Sequence, residues 1–200
     1  MTSLEAALRQ IHRDLTESRV SFALVGGLAV SARTEPRFTR DADLAVAVAS
    51  DAEAEALIHS LRAREYGVEA VVEQQAVGRL ATVRLTRSQE PQAPVVDLLF
   101  ASSGIEPEIV AEAEPLDLLP NLKIGVARAG HLIALKVLSR DDVTRPQDLV
   151  DLRALLRIAP PAELAHARQA LTLIAARGFH RGRELLVEMN RLIGLESDPR

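Results

Sequence analysis

Two aspartates, Asp41 and Asp43, stand at the start of an otherwise apolar segment that is predicted to form a β-strand over residues 42–48. Because side chains alternate along a strand, both carboxylates face the same side, with their Cα atoms roughly 7 Å apart. At an effective dielectric constant of about 20, the two charges repel by on the order of 2 kcal/mol. A solvated strand edge would tolerate the pair. A divalent cation would remove the repulsion, since carboxylate oxygens are the ligands that Mg²⁺ prefers.

Asp97 interrupts a second apolar segment, VVDLLF, and is the candidate third ligand. Neighbouring strands lie about 5 Å apart, so Asp97 reaches the same cation if its strand lies beside that of Asp41. Taken alone, Asp97 fits a solvated position equally well. Taken together, Asp41, Asp43 and Asp97 predict a site for Mg²⁺ or Mn²⁺.

Gly26 and Gly27 follow a predicted strand, residues 20–25, and precede a predicted short helix, residues 28–33. Between a strand and a helix, glycines let the backbone approach a phosphate closely, and the helix N-terminus offers unpaired N–H groups. A Gly-Gly pair by itself is more often only a turn. In combination with the aspartates, it indicates a metal–phosphate site.

An apolar segment ending in Gly-Gly, followed by Asp-apolar-Asp-apolar on the next strand, resembles the nucleotidyltransferase superfamily with the polymerase-beta-like fold. The segment VGGLAV, followed by RFTRDADL over residues 37–44, is similar to the R-x-T-x-D-hydrophobic-D signature of the AbiEii/AbiGii toxin family. The resemblance implies that Gly26, Gly27, Arg37 and Thr39 bind a nucleoside triphosphate. It also implies that the aspartates hold Mg²⁺ during in-line attack on the α-phosphorus.

A second block, HLIALKVLSRDDVTRPQDLVDLRALL over residues 131–156, resembles the helix of this family that carries a Lys, then an Arg, then a K-D-x-x-D-L run. The matching positions are Lys136, Arg140 or Arg145, Asp148, Asp151 and Leu152. Gln147 stands where the family usually has Lys. With the first block, the resemblance extends over residues 20–157.

Lys136 is the only charged residue in LIALKVL, so its ammonium group must reach the surface or meet a partner. One interpretation places it on the nucleotide phosphates, with Asp148 nearby as an orienting group or base. The other is a salt bridge between Lys136 and an aspartate of the next helix. The family resemblance favours the first, which makes Lys136 and Asp148 candidate catalytic residues.

The remaining pattern predicts an α/β (α+β) protein, with a nucleotidyltransferase-fold mixed sheet and flanking helices followed by a C-terminal helical bundle. Strands are predicted at 20–25, 42–48, 68–73, 81–86, 94–100 and 122–127, with a hairpin turn at 88–92. Helices are predicted at 2–18, 28–33, 50–64, 129–140, 146–157, 161–176 and 181–193, the first with a capping box of Thr2 and Glu5. The segment EPEIVAEAEPLDLLPNL is interpreted as an irregular connection. We expect a core, residues 1–127, and a helical region, residues 128–200, packed on it.

The composition narrows the function classes. A net charge of −4 argues against nonspecific capture of nucleic acid over the whole surface, and an aromatic content of 2% argues against base-stacking platforms. Without cysteine, disulfides and thiolate metal sites are excluded. The charged N-terminus is unlike a signal peptide, and no apolar run reaches a membrane span, so a cytoplasmic protein without membrane partners is expected. The histidines at 12, 59, 166 and 180 show no metal-ligand spacing and are interpreted as surface or helix-face residues.

The family resemblance also implies partners. It suggests the toxin of a type IV toxin–antitoxin or phage-defence system, with an NTP as substrate, tRNA as a candidate acceptor and a cognate antitoxin. Arg33, Arg37 and Arg40 are then candidates for triphosphate or RNA phosphate contacts.

Two alternatives stay open. The first is a non-catalytic nucleotide- or partner-binding module of the same fold. The second is a small-molecule nucleotidyltransferase that modifies an aminoglycoside-like acceptor. Such a polycation requires an acidic cleft, whereas the arginines at 33–40 favour an anionic acceptor. The acidic segment EPEIVAEAEP could nevertheless supply an acidic surface.

Overall fold

The computed structural model describes residues 3–87, 94–141, 144 and 146–197. The strands are β1 (Phe22–Val25), β2 (Asp41–Val46), β3 (Gly67–Gln74), β4 (Arg79–Thr86), β5 (Val95–Leu99), β6 (Glu114–Leu119) and β7 (Leu122–Val126). The helices are α1 (Ser3–Glu17), α2 (Gly26–Arg33), α3 (Asp51–Arg62), α4 (Glu106–Ala111), α5 (Ala129–Ser139), α6 (Pro146–Ile158), α7 (Pro161–Ala176) and α8 (Leu185–Ser197). The predicted mixed α/β class is confirmed.

The described strands form one mixed sheet in the order β3-β4-β5-β2-β1-β7-β6. β2 runs parallel to β5 and antiparallel to β1, and β1 pairs in parallel with β7. The pairs β3–β4, β4–β5 and β6–β7 are antiparallel. This order puts β2 at the centre of the sheet, so each of its residues has a neighbour on both sides.

In the first half of β2, buried residues alternate with partly accessible ones, as expected for a strand whose two faces differ in burial. Ala42 and Leu44 are fully buried, whereas Asp41 and Asp43 are partly accessible on the other face. In the parallel register, Asp43 lies directly beside Asp97 of β5. The strand of Asp97 therefore does lie next to that of the aspartate pair, as the sequence predicts.

The segment interpreted as an irregular connection contains α4 and β6, so that interpretation is wrong. Pro107 lies in the first turn of α4, where its missing N–H costs no intrahelical hydrogen bond. Leu116 of β6 pairs with Ile124 of β7, which extends the sheet at this edge. Both elements are short and contain Pro and Glu, and in β6 the pairing with β7 overrides the low strand propensity of these residues.

The last helix begins at Leu185 and not at residue 181 as predicted. Arg181 and Gly182 have φ angles of 54° and 69°, which a right-handed helix cannot contain. Arg183 instead donates a hydrogen bond of 2.9 Å to the Leu138 carbonyl near the end of α5. The predicted hairpin turn at 88–92 and the capping residue Thr2 lie outside the described residues.

α5 is the central helix of the C-terminal region. Eight of its 11 residues are buried, and it packs against α2 of the sheet region as well as α6, α7 and α8. A helix that is buried on all sides requires neighbours on all sides. Buried residues of both regions accordingly belong to one hydrophobic cluster. Among the described residues, no helix combines the length and the apolar character that crossing a membrane requires.

The division of the chain at residues 127 and 128 stays a prediction, and a fragment tests it. Residues 1–127 lack α5, so the apolar side of α2 would lose its cover. We expect this fragment to aggregate or to show no cooperative thermal transition by circular dichroism, while the full chain unfolds cooperatively. A fragment that melts cooperatively would establish the core as an independent domain.

Candidate active site

A cleft of about 660 Å³ lies over the aspartates of β2 and β5. All of the predicted site residues line it: Gly26, Gly27, Arg37, Thr39, Asp41, Asp43, Asp97, Lys136 and Asp148. They come from β2, β5, α2, the loop before β2, α5 and α6. A larger cleft of about 1180 Å³, against α3 and β3, contains none of them. The fold therefore brings together in one cleft all the residues that were predicted from the sequence to form the site.

Gly26 and Gly27 form the first turn of α2, whereas the helix was predicted to begin after them. Gly26 has a φ of +63°, and a Cβ at this position would lie 1.9 Å from Oδ2 of Asp43. A Cβ on Gly27 would lie 2.7 Å from an Arg37 guanidinium nitrogen and 3.1 Å from Thr39 Oγ1. The missing side chains thus let three functional groups close around a helix N-terminus, where N–H groups have no intrahelical partners.

Asp43 is the electrostatic centre of the cleft. Burial, followed by the negative charge of Asp97, raises the pKa of Asp43 to about 6. The charge of Asp41 raises it further, while Lys136 and a hydrogen bond from the Gly27 N–H lower it. A carboxyl group whose ionisation is opposed by two neighbouring carboxylates is a site that gains stability from a cation.

Arg84 holds Asp97 in place, a contact that the sequence analysis missed. Nε and Nη2 of Arg84 donate hydrogen bonds of 2.9 and 2.7 Å to the two carboxylate oxygens of Asp97. These hydrogen bonds raise the pKa of Arg84. The predicted hairpin makes β4 and β5 neighbours, but only their register, with Arg84 opposite Asp97, reveals the pair.

Lys136 is buried and bridges two aspartates of α6. Its Nζ lies 2.6 Å from Oδ1 of Asp148 and 2.8 Å from Oδ2 of Asp151. Asp148 also accepts a hydrogen bond of 3.0 Å from Ser139 Oγ. The salt bridge considered as an alternative is therefore present. Lys136 also lines the cleft and lowers the pKa of Asp43, so a contact with nucleotide phosphates stays a prediction.

Asp151 connects the signature loop to α6. Nε and Nη2 of Arg37 each donate a hydrogen bond of 2.7 Å to its carboxylate, and Gln147 Nε2 donates one of 3.1 Å. Burial raises the pKa of Asp151, but the hydrogen bonds from Arg37 and Lys136 outweigh it and hold that pKa below its usual value. Gln147, at the position of the family's usual Lys, thus supports Asp151 without adding a charge.

The other arginines named from the sequence differ in placement. Arg33 donates to the main-chain oxygens of Val126 and Ala127 and pairs with Glu114 at 2.9 Å, and it is not among the residues that line the cleft. The guanidinium of Arg40 lies 5.6 Å from the ring centroid of Phe38. Arg140 follows the last turn of α5, and Arg145 lies outside the described residues.

The model of the family described as "Nucleotidyl transferase AbiEii toxin, Type IV TA system" matches residues 8–199. No protein with a curated description matches the sequence significantly.

Several solved structures share the fold. An antigenic nucleotidyltransferase-like protein from Paracoccidioides brasiliensis superposes with a TM-score of 0.54 at 18% identity, over 94% of this chain and 92% of that one. A lincosamide antibiotic adenylyltransferase bound to lincomycin gives 0.51 at 15% identity, over 78% and 98%. A nucleotidyltransferase described as putative, from H. pylori, gives 0.50 at 13% identity, over 96% and 91%. At these identities the likeness concerns the fold alone.

Substituting Gly26 tests the close approach of α2 to the aspartates. In Gly26→Ala, the new methyl group overlaps the Asp43 carboxylate, and we expect nucleotide binding to be lost, as measured by equilibrium dialysis with a labelled NTP. Gly78→Ala is the matched control, because Gly78 has a φ of +60° but nothing within 4 Å of its Cβ position. Both variants carry a backbone strain of about 1 kcal/mol. If Gly26→Ala and Gly78→Ala bind the nucleotide equally well, the close contact between residue 26 and the Asp43 carboxylate does not matter for binding.

Asp43→Asn tests the charge repulsion through stability. The folded-state pKa of about 6 exceeds the unfolded value of about 3.9, so the carboxyl group stabilises the fold below pH 4 and this contribution is lost as the pH rises through 6. In EDTA, Asp43→Asn should therefore melt at a higher temperature than wild type, and its free energy of unfolding should be higher by about 3 kcal/mol at pH 7.5 and by less at pH 5. A variant less stable than wild type at pH 7.5 would show that the repulsion is already relieved.

Proposed function

Because the chain belongs to the AbiEii nucleotidyl transferase toxin family, and is thus an enzyme of nucleotidyl transfer, we propose that it transfers a nucleoside monophosphate from an NTP to a nucleic-acid hydroxyl, with tRNA as the first candidate. The observation that carries the proposal is the convergence of three strand aspartates on the N-terminal turn of α2 in one cleft. As the family's name implies, a cognate antitoxin would restrain this activity.

The triphosphate is proposed to lie over the first turn of α2. There the main chain is accessible because Gly26 and Gly27 have no side chains, and the guanidinium of Arg37 and the hydroxyl of Thr39 lie beside Gly27. Phosphate oxygens are strong acceptors for such N–H groups and for a planar guanidinium. Arg37 keeps its orientation through Asp151, so the triphosphate meets a preformed donor.

Asp41, Asp43 and Asp97 are proposed to hold Mg²⁺ or Mn²⁺. The donor set fits, because all three offer hard oxygen ligands, and because burial and then the charge of Asp97 raise the pKa of Asp43, so that a cation would favour its ionised form. When bound, the cation would stabilise the charge that develops on the phosphate oxygens. Asp97 gives up at least part of its contact with Arg84 in that state, and Arg84 is then available to an anionic substrate.

The transfer itself is proposed as an in-line displacement. The acceptor hydroxyl oxygen forms a bond to the α-phosphorus, the bond to the bridging oxygen of the β-phosphate breaks, and pyrophosphate leaves. The hydroxyl proton passes to a strand carboxylate, for which Asp97 is the candidate because it lines the cleft directly beside Asp43. Asp148 is buried and hydrogen-bonded to Lys136 and Ser139, which favours a positioning role over that of a base.

Two observations favour a nucleic-acid acceptor over a polycationic small molecule. Phe38, next to the signature residues Arg37 and Thr39, is 80% exposed, and with Arg40 beside it the ring offers a surface on which a base can stack. Three glutamates of the acidic segment that could have attracted a polycation already form ion pairs: Glu108, Glu112 and Glu114 pair with Arg177, Arg128 and Arg33. The non-catalytic alternative is disfavoured because all three strand aspartates are present.

A labelling experiment tests the proposal. The purified chain is incubated with Mg²⁺, each of the four α-labelled NTPs, and either total tRNA or a panel of aminoglycosides. We expect label in tRNA with at least one NTP and no label with Asp41→Asn. If label appears only in the aminoglycosides, the acceptor is a small molecule and not a nucleic acid. If no label appears in any combination, the proposed catalysis is refuted.

The same assay tests the role of Phe38. Loss of one base-stacking contact costs about 1–3 kcal/mol, so Phe38→Ala should lower the efficiency of transfer to tRNA by roughly 5- to 150-fold. Val187→Ala, which trims another exposed apolar residue on α8, is the matched control and should leave transfer unchanged. An unchanged rate with Phe38→Ala would remove the stacking argument while leaving catalysis intact.

A further inference from the structure

Away from the cleft, two histidines and a glutamate from three elements meet between the sheet and the helical region. Glu112 follows α4, His131 lies in the first turn of α5, and His166 lies in α7. Each offers one ligand atom, and the three atoms lie within 4.8 Å of one another. None of the three lines the cleft over the strand aspartates. His166, interpreted from the sequence as a surface or helix-face residue, thus lies partly buried on α7 within this cluster.

The histidines are packed closely and incompletely hydrogen-bonded. The ring centroids of His131 and His166 are 4.3 Å apart, and His131 is only 2% exposed. The Nδ1 atoms of both rings are buried without a hydrogen-bond partner among the described residues. Leaving a buried polar group unsatisfied costs about 1–3 kcal/mol, so the unpaired nitrogen of the fully buried His131 requires an explanation. Coordination of a cation by this ring explains it, because an imidazole nitrogen with a free lone pair is a metal ligand, and His166 presents its Nε2 to Glu112 in the same cluster.

The surroundings of the cluster favour a positive ion. Glu112 and Glu163 contribute two negative charges, and Arg128, which pairs with both at 3.0 and 2.5 Å, contributes one positive charge. With neutral imidazoles, the local charge is therefore −1. Glu163 also accepts a hydrogen bond of 2.7 Å from the Gly130 N–H, which fixes the start of α5 beside His166.

Gly130 makes the approach of His166 possible. A Cβ on Gly130 would lie 2.8 Å from Nδ1 of His166, too close for any residue other than glycine. On the opposite side, Nε2 of His166 lies 3.2 Å from Oε2 of Glu112. The imidazole of His166 is thus held between the first turn of α5 and the end of α4.

We propose that Glu112, His131 and His166 form a second metal site, which binds one Zn²⁺ ion. Two imidazoles and one carboxylate are a ligand set that Zn²⁺ accepts in tetrahedral geometry, with water in the fourth position. Because the side chain of Glu112 is 43% exposed, the ion and its water have a path from solvent. The ion joins α4, α5 and α7, so it stabilises the junction between the sheet and the helical region.

The test uses the full chain carrying Asp41→Asn and Asp43→Asn, which removes two of the three strand carboxylates as competing ligands. After treatment with EDTA and dialysis, Zn²⁺ binding is measured by isothermal titration calorimetry, and Co²⁺ is used as a spectroscopic probe. We expect one Zn²⁺ per chain, a higher melting temperature with Zn²⁺, and Co²⁺ absorption bands of a four-coordinate site with nitrogen ligands.

Two further variants locate the site. In the same background, His166→Gln and the more exposed Glu112→Gln should each weaken Zn²⁺ binding by about a hundredfold or more. His12→Gln, a histidine outside the cluster, is the matched control and should bind as before. Absence of Zn²⁺ binding by a folded Asp41→Asn, Asp43→Asn chain would overturn the proposal. Binding that survives both His166→Gln and Glu112→Gln would also overturn it. Because Glu112 is largely exposed, its variant tests the site even if His166→Gln does not fold.

Discussion

The repulsion between carboxylates at the centre of the sheet is the constraint on which the rest of the site depends. Asp43 and Asp97 are neighbours on parallel strands, with Asp41 on the same face. The surrounding residues supply either space or positive charge. Gly26 leaves room for the Asp43 carboxylate, and Arg84 and Lys136 partly compensate the negative charge. Burial, and after it the charges of Asp97 and Asp41, still raises the pKa of Asp43 to about 6, so these two cations do not fully offset the cost of ionising this carboxyl group.

The two sequence blocks that identify the family are joined by one ion-pair network. Asp148 and Asp151, three residues apart on α6, lie on one helical face, and both contact Lys136 of α5. Asp151 also receives the guanidinium of Arg37 from the signature loop. The loop that carries Arg37 is thus positioned by α6. The residues of the candidate site come together only because α5 and α6 pack against the sheet region, which agrees with a resemblance that includes both blocks.

Much of the fold and of the candidate site could be predicted because the relevant signals are local. The alternation of side chains along β2 and the apolar residues on both sides of Asp97 were enough to predict that the three aspartates lie close together. Arg84 escaped prediction because its contact depends on strand register, which a long hairpin connection does not fix. α4 and β6 were missed because Pro and Glu outweigh a short apolar pattern. His131 and His166 lie on different helices, so no sequence spacing relates them, and only the packing of α5 on α7 makes them neighbours.

α5 shows how a buried helix can have a single orientation. Apolar side chains fix the rotation of such a helix through the fit of their shapes, and buried polar side chains add a chemical requirement. His131 and Lys136 differ by five positions, which places them about 140° apart around the helix axis. Each is buried and meets a polar partner on a different helix: Lys136 meets the aspartates of α6, and His131 meets His166 of α7. Rotating the helix would leave a buried ammonium group without a carboxylate, at a cost of about 3–5 kcal/mol. The polar residues of α5 therefore fix the orientation of the helix that forms one wall of the cleft.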